Sequence, residues 1–221
     1  MKIKALKNVK KRFLYSKKMK VFCIGRNKTG TTSLAKIFRK IGLKVAPQYD
    51  FELLVNDWYS GDYSKIIKKV KKKGNAFQDI PFSLPDTYKI LDKEFPKSKF
   101  ILTVRDSPEV WYKSLTKFHS KLFGNGKIPT KEDLQNAEYI YHGWMWDVNR
   151  MVYNTPENDI YNKEMLIQHY TDHNNAVIEY FKDRPHKLLI INLKEPKALE
   201  KICDFLDAKQ TIEKMPWENK T

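Results

Sequence analysis

Residues 21–41 read Val21-Phe22-Cys23-Ile24-Gly25-Arg26-Asn27-Lys28-Thr29-Gly30-Thr31-Thr32-Ser33-Leu34-Ala35-Lys36-Ile37-Phe38-Arg39-Lys40-Ile41. The continuous apolar run from Val21 to Ile24 predicts a strand buried on both faces of a parallel sheet. Gly25 to Gly30 break that run. Beyond them Leu34, Ile37, Phe38 and Ile41 fall at i, i+3, i+4 and i+7, one face of a helix that Gly42 ends. A strand, a glycine-bounded loop and a hydroxyl-rich helix start make a cradle for an anion. The loop N–H groups point inward, and the helix N-terminus adds partial positive charge. The stretch is therefore read as a phosphate or sulfate site.

Working outward, Phe100–Val104 is the clearest further strand. Leu188–Ile191 is another, and Ala76–Ile80 a short one closed by Pro81. Helices are expected over 51–73 (surface-exposed), over Leu84–Phe95, over 131–150 and over 162–182. A further helix starts at Ser107, with Ser at the N-cap, Pro108 next and Glu109 in the first turn. Leu199, Ile202, Cys203 and Leu206 form one more helical face. Strands alternating with helices predict an α/β fold, a central parallel sheet flanked by helices. In such sheets ligands bind at the carboxyl ends of the strands. Three loops there carry chemistry: after Ile24, after Phe77 and after Val104. Residues 1–221 are read as a single domain, with 1–18 as a basic N-terminal arm.

The chain has 221 residues, with 42 Lys and Arg against 26 Asp and Glu, a formal charge of +16. Hydrophobic residues at 41% argue against a disordered chain. The two cysteines, Cys23 and Cys203, exclude a disulfide scaffold and a four-cysteine zinc site. Both sit in apolar surroundings and read as buried thiols of a reducing compartment. The apolar runs are strand-length, far short of the roughly 18–20 residues of a membrane-spanning helix. The basic N-terminus lacks the apolar stretch of a signal peptide, and with Met1 at its start no removed anchor is expected. The expectation is a soluble, cytoplasmic protein. Its positive charge suits small polyanions, anionic lipid or nucleic acid. The lysine-rich stretches Lys7–Lys20 and Lys65–Lys73 are read as solvated faces, and no nucleic-acid motif accompanies them.

The usual triphosphate loop is G-x-x-x-x-G-K-[ST]. Gly25 and Gly30 fit its spacing, but Thr31 and Thr32 occupy the Lys-[Ser/Thr] places, and the lysine stands earlier, at Lys28. A kinase needs that lysine on the β- and γ-phosphates and the hydroxyl on Mg²⁺. Lys28-Thr29-Gly30-Thr31-Thr32-Ser33 instead resembles the 5′-phosphosulfate loop of sulfotransferases that use 3′-phosphoadenosine 5′-phosphosulfate. The cytosolic small-molecule branch usually continues with Trp. Here Ser33-Leu34 follows, so the resemblance points to the branch known simply as sulfotransferase family proteins. It implies a P-loop-like nucleotide-binding architecture, a nucleotide sulfate donor and no metal. It also implies that Lys28 neutralises the bridging oxygen while Thr29, Gly30, Thr31, Thr32 and Ser33 cradle the 5′-phosphosulfate.

After Val104 comes Arg105-Asp106-Ser107-Pro108-Glu109-Val110-Trp111-Tyr112-Lys113-Ser114. An arginine at a strand tip can grip a phosphate with two parallel hydrogen bonds. Ser114, two turns into the next helix, could donate to the same group. In the family such an Arg…Ser pair binds the 3′-phosphate. The common spacing there is eight residues; here it is nine, with Lys113 at the eighth place. Either an extra residue in the turn, Ser107, restores the phase, or Lys113 replaces the serine. The plain alternative is Arg105 paired with Asp106 or Glu109 and Ser107 as a cap only.

Sulfuryl transfer to a hydroxyl needs a base for the acceptor proton. The candidates are Asp79, His119, His142 and His173. Asp79-Ile80-Pro81 resembles an Asp-x-Pro segment of this branch, which favours Asp79. His119 reads as surface, His142 as part of an aromatic patch with Tyr141, Trp144 and Trp146, and His173 as a helix residue near the site. The branch's closing strand, Cys-x-Phe-Leu helix and Pro-x-x-Asn tail are matched by Leu188–Ile191, Cys203–Leu206 and Pro216–Asn219. The function expected is transfer to a hydroxyl or amine of an unidentified acceptor, a glycan or small metabolite. The alternatives are a small-metabolite kinase and an inactive polyanion-binding protein. Residues 119–165, where acceptor choice would lie, carry no readable motif.

Overall fold

A computed structural model describes residues 19–208 and 214–216. The N-terminal arm and the end of the tail, Trp217 to Thr221, lie outside the described residues. Four parallel strands form the sheet: β1 (Val21–Cys23), β2 (Ala76–Phe77), β3 (Lys99–Val104) and β4 (Leu188–Asn192), in the order β2-β1-β3-β4. Phe22 pairs with Phe77 on one side and with Phe100 on the other, and Ile101 pairs with Leu189. The chain leaves β1 towards β2 and then crosses back to β3. The carboxyl end of β1 is thus the point where the winding reverses, the position favoured for ligands.

Side chains of a strand alternate between faces, and both faces of this sheet are covered. Val21, Cys23, Ile101 and Ile191 pack on α1 (Thr31–Lys40) and α10 (Ala198–Phe205), through Leu34, Ile37, Phe38, Leu199 and Ile202. Phe22, Phe77, Phe100 and Leu102 pack on the opposite layer. That layer contains α4 (Ser64–Lys73), α5 (Thr87–Glu94) and the end of α9 (Lys163–Phe181). Each of these buried aromatics contributes about 1.5–3 kcal/mol. A third cluster is built away from the sheet, from α6 (Pro108–Phe123), α7 (Lys131–Gln135), α8 (Trp144–Val152) and the start of α9.

The expected α/β architecture, with a central parallel sheet flanked by helices, is the one observed. Local boundaries differ. The segment 51–73 is three helices, α2 (Tyr49–Glu52), α3 (Val55–Tyr59) and α4, with Gly61 at φ +76° between the last two. Phe51, Glu52, Leu54, Val55, Ile66 and Val70 are buried, while Lys65, Lys68, Lys71, Lys72 and Lys73 are exposed, so the segment is exposed on one side and packed on the other. The strand expected over 76–80 stops at Phe77 because Asp79, at φ +64°, turns the chain out of the sheet. The helix expected over 131–150 is interrupted. A capping box of Thr130 and Asp133 starts α7, and left-handed Gly143 starts α8. Ser107 caps α6 by accepting from the Val110 N–H at 3.3 Å. Among the described residues no helix is long and apolar enough to cross a membrane.

Candidate active site

The β1–α1 loop is held against β3. A Cβ on Gly25 would lie 2.4 Å from the Thr103 carbonyl oxygen, so only glycine allows this approach. Gly30 caps α1 at φ +103°, and a Cβ there would meet Leu193 Cδ1 at 2.6 Å. The first helical bond runs from the Leu34 N–H to the Gly30 carbonyl, 3.0 Å. The N–H groups of Thr31, Thr32 and Ser33 therefore precede the helical ladder. Thr29 is turned inward: its hydroxyl donates to the Arg26 carbonyl (2.5 Å) and meets Thr103 Oγ1 at 2.6 Å. Thr29 thus fastens the loop to β3 with its side chain. Lys28, Gly30, Thr31 and Thr32 line a cavity of about 230 Å³, while the side chains of Thr29 and Ser33 are buried behind them.

Arg105 closes one side of the loop. Its Nε donates to the Lys28 carbonyl (2.5 Å) and its Nη2 to Ser114 Oγ (3.2 Å). Its backbone N–H donates to the Tyr170 hydroxyl at 3.1 Å. Trp111 stacks on Tyr170, with centroids 4.7 Å apart, and donates from Nε1 to the Asn27 carbonyl at 2.9 Å. Ser114 is buried and Lys113 exposed. The nine-residue spacing therefore sets Ser114, not Lys113, beside Arg105, with Ser107 absorbed in the cap. Asp106 is engaged elsewhere, by Lys194 at 3.2 Å and by Asn192.

Lys28 adopts φ +64° and holds its ammonium 3.6 Å from the Phe118 ring centroid, within cation–π reach. Burial, and then Arg105, push its pKa down to about 8, while Asp79 pulls it the other way. Asp79 faces the same cavity. One oxygen accepts from the Ile80 N–H (3.1 Å), and Thr31 Oγ1 approaches the other at 3.4 Å. Burial holds its carboxyl above the usual range, against the Ile80 N–H, Arg26, Thr31 and Lys28. Arg26 is buried beneath, donating to the Ser83 carbonyl (2.8 Å) and the Tyr153 hydroxyl (2.7 Å).

The histidines separate. His119 is buried on the cavity wall, with Nδ1 2.8 Å from the Tyr161 hydroxyl. Burial and Lys28 push its pKa down to about 3. The expected surface position is corrected: His119 continues the buried face of Trp111 and Leu115 along α6. His173 is buried too, but its Nε2 bonds the Ile24 carbonyl (2.8 Å), fastening α9 to the end of β1, and it does not line the cavity. His142 is exposed, paired with Glu138 at 2.7 Å, outside the cavity lining.

Two cavity residues were not read from the sequence. Glu52, 4% exposed, accepts from Gln48 Nε2 at 2.7 Å, and burial with nearby Asp79 pushes its carboxyl up to about 7. Tyr139 lies at the rim. Burial and the Glu52 and Asp79 carboxylates hold its hydroxyl above the usual phenol range. Acid residues in the segment 51–73 resemble a solvated helix, so nothing marked Glu52 out. Beyond these groups the cavity wall is mostly apolar, with Leu115, Leu134, Met145, Val148 and Leu166 from four helices, and Asn149, Tyr153 and Tyr161 set among them.

No curated protein matches the chain significantly. A family model described as a sulfotransferase domain matches residues 20–221, a span that includes the loop after β1, the Arg105–Ser114 pair and every cavity-lining residue named above. The chain therefore belongs to the sulfotransferase domain family.

Proposed function

We propose that the protein moves a sulfuryl group from 3′-phosphoadenosine 5′-phosphosulfate to a hydroxyl, or amine, of a small acceptor seated in the cavity. The observation that supports this best is one juxtaposition. Lys28, the open start of α1, Arg105 and the Asp79 carboxyl line one cavity, with Ser114 bonded to Arg105 behind them. The residues fit such a donor. The N–H groups that open α1 stand ahead of its helical ladder, and Arg26 and Arg105 bring positive charge to the loop. The donor supplies an activated sulfuryl group whose departure leaves a phosphate.

The chain's own residues divide the work. The N–H groups at the start of α1 hold the 5′ end. Arg105 and Ser114 hold the 3′-phosphate, the guanidinium through a fork already oriented by the Lys28 carbonyl. Lys28 neutralises charge as it builds on the leaving phosphate oxygen, in a site where water is scarce and the interaction correspondingly strong. Asp79 takes the acceptor proton as the new S–O bond forms. A carboxyl raised by burial is a better base than an ordinary aspartate. The cavity's mostly apolar wall favours a small acceptor over a glycan.

The test is thermal stabilisation by 3′-phosphoadenosine 5′-phosphate beside ATP with Mg²⁺, with no acceptor present. A rise in Tm with the bisphosphate alone is expected. A rise only with ATP and Mg²⁺ would replace this reading with a kinase. No rise with either would favour polyanion binding, whose mark is a steep salt dependence.

A further inference from the structure

The mechanism above leaves a buried carboxyl group on the cavity wall, Glu52, unused. Resting on that reading, we propose that Glu52 selects acceptors carrying a basic nitrogen, so that the acceptor is an amino alcohol or aminophenol whose ammonium sits against Glu52 while its hydroxyl meets Asp79.

A carboxylate removed from water is normally paired with a cation or loses its charge. Glu52 is 4% exposed, and its hydrogen-bond partner is the neutral amide of Gln48, itself held by Gln78 Nε2 at 2.7 Å. This chain of amides fixes the carboxylate in place without neutralising it. Asp79 adds a like charge on the same cavity. The result is a group that ionises readily when a cation arrives and resists ionisation otherwise.

The second observation is the aromatic wall. Phe123, Tyr139 and Trp144 line the cavity with Glu52, and they form one cluster. Tyr139 and Trp144 are 5.3 Å apart, and Phe123 meets Tyr139 edge-on at 6.0 Å. Ring faces beside a carboxylate recognise ammonium groups, the rings through their quadrupoles and the carboxylate through its charge. The cavity's other cations are already committed: Lys28 lies over Phe118, and Arg26 and Arg105 are tied to backbone oxygens. A neutral, protonated Glu52 that donates a hydrogen bond to the acceptor is the competing arrangement, and it predicts no preference for a cation.

The experiment compares matched probes at pH 7.5: tyramine with 4-propylphenol, and 6-amino-1-hexanol with 1-heptanol. In each pair an ammonium replaces a methyl. Binding is measured calorimetrically, with and without the 3′,5′-bisphosphate, on the wild-type chain and on Glu52→Gln. Glutamine at 52 can still accept from Gln48, and the bisphosphate Tm shift serves as the folding control. The expected result is at least tenfold tighter binding of the ammonium member in one or both pairs, collapsing to about equal in Glu52→Gln. Equal or tighter binding of the neutral members overturns the proposal. So does a preference that survives Glu52→Gln, or no binding of any probe. Loss of the bisphosphate shift in the wild type strikes the donor reading instead, and the ammonium ratio is still read without it.

Discussion

The loop edge around Lys28 and Arg105 and the cavity behind it are built in opposite ways. The edge is held largely through its backbone carbonyls, with the Thr29 side chain as a further tie. The Asn27 and Lys28 carbonyls receive Trp111 and Arg105, Thr29 is bonded to Thr103, and Gly25 and Gly30 sit where a Cβ would collide. The cavity is held by side-chain packing among α6, α7, α8 and α9, with a few polar groups set into an apolar wall. Backbone-held geometry tolerates little change in sequence or shape. Side-chain walls can be recut without disturbing the sheet. Under the proposed function, the edge suits the donor and the wall the acceptor.

If the two regions divide the work in this way, substitutions at their border should act on chemistry more than on binding. Asp79→Asn removes the proposed base and is expected to lower turnover roughly 10²–10⁴-fold, with the bisphosphate Tm shift retained. In the wild type, turnover should fall as pH drops through the raised pKa of Asp79, because the protonated acid cannot accept a proton. That loss should begin at a higher pH than for an ordinary aspartate near 3.9. A rate insensitive to Asp79→Asn would shift the base to another cavity residue.

Lys28→Ala is expected to cost roughly 10²–10³-fold in turnover and much less in bisphosphate affinity. Near-normal turnover would remove Lys28 from the mechanism. Burial and Arg105 push the Lys28 pKa down to about 8. The donor kcat/KM should therefore decline above that pH, where the amine is neutral. Lys28→Arg should abolish that decline, whatever it does to the maximum.

The cavity side is tested by Val148→Phe, on the wall formed by α8. Filling part of the space should lower acceptor kcat/KM roughly 10–200-fold and leave bisphosphate affinity alone. An equal loss on both sides would mean the regions are one mechanical unit.

The loop edge was readable because its signals are local. An apolar run, glycines at fixed spacing and a Ser-Pro-Glu helix start depend on neighbours in sequence, and β1, β3, α6 and α9 appear where those signals stand. The cavity depends on long-range packing. His119 lies between Lys117 and Lys121 and looks solvated, yet it is eight residues from Trp111 and four from Leu115, on the buried stripe of α6. That spacing was the available signal. Glu52 had none: its burial follows from the short turns that break 51–73 into three helices, and from Gln48, which receives Gln78 from beyond β2. Likewise the break between α7 and α8 rests on the left-handed Gly143 and a bridge between Glu138 and His142, features that helical periodicity does not register.

The smallest expected effect bears on the nine-residue spacing. Ser114 is buried at 3.2 Å from Arg105 Nη2, whereas Lys113 points to solvent one residue earlier. If the serine both orients the guanidinium and donates to the 3′-phosphate, Ser114→Ala should weaken bisphosphate binding by roughly tenfold, the lower end of what one hydrogen bond to a charged group is worth. Lys113→Ala removes only a screened surface charge, and its effect should be smaller and fade in high salt. Affinity for adenosine 5′-phosphate, which lacks the 3′ group, should be much less sensitive to Ser114→Ala. If Lys113→Ala instead has the larger, 3′-phosphate-dependent effect, the side chains rearrange when the donor binds, and this corner of the backbone-held edge adapts as the cavity wall does.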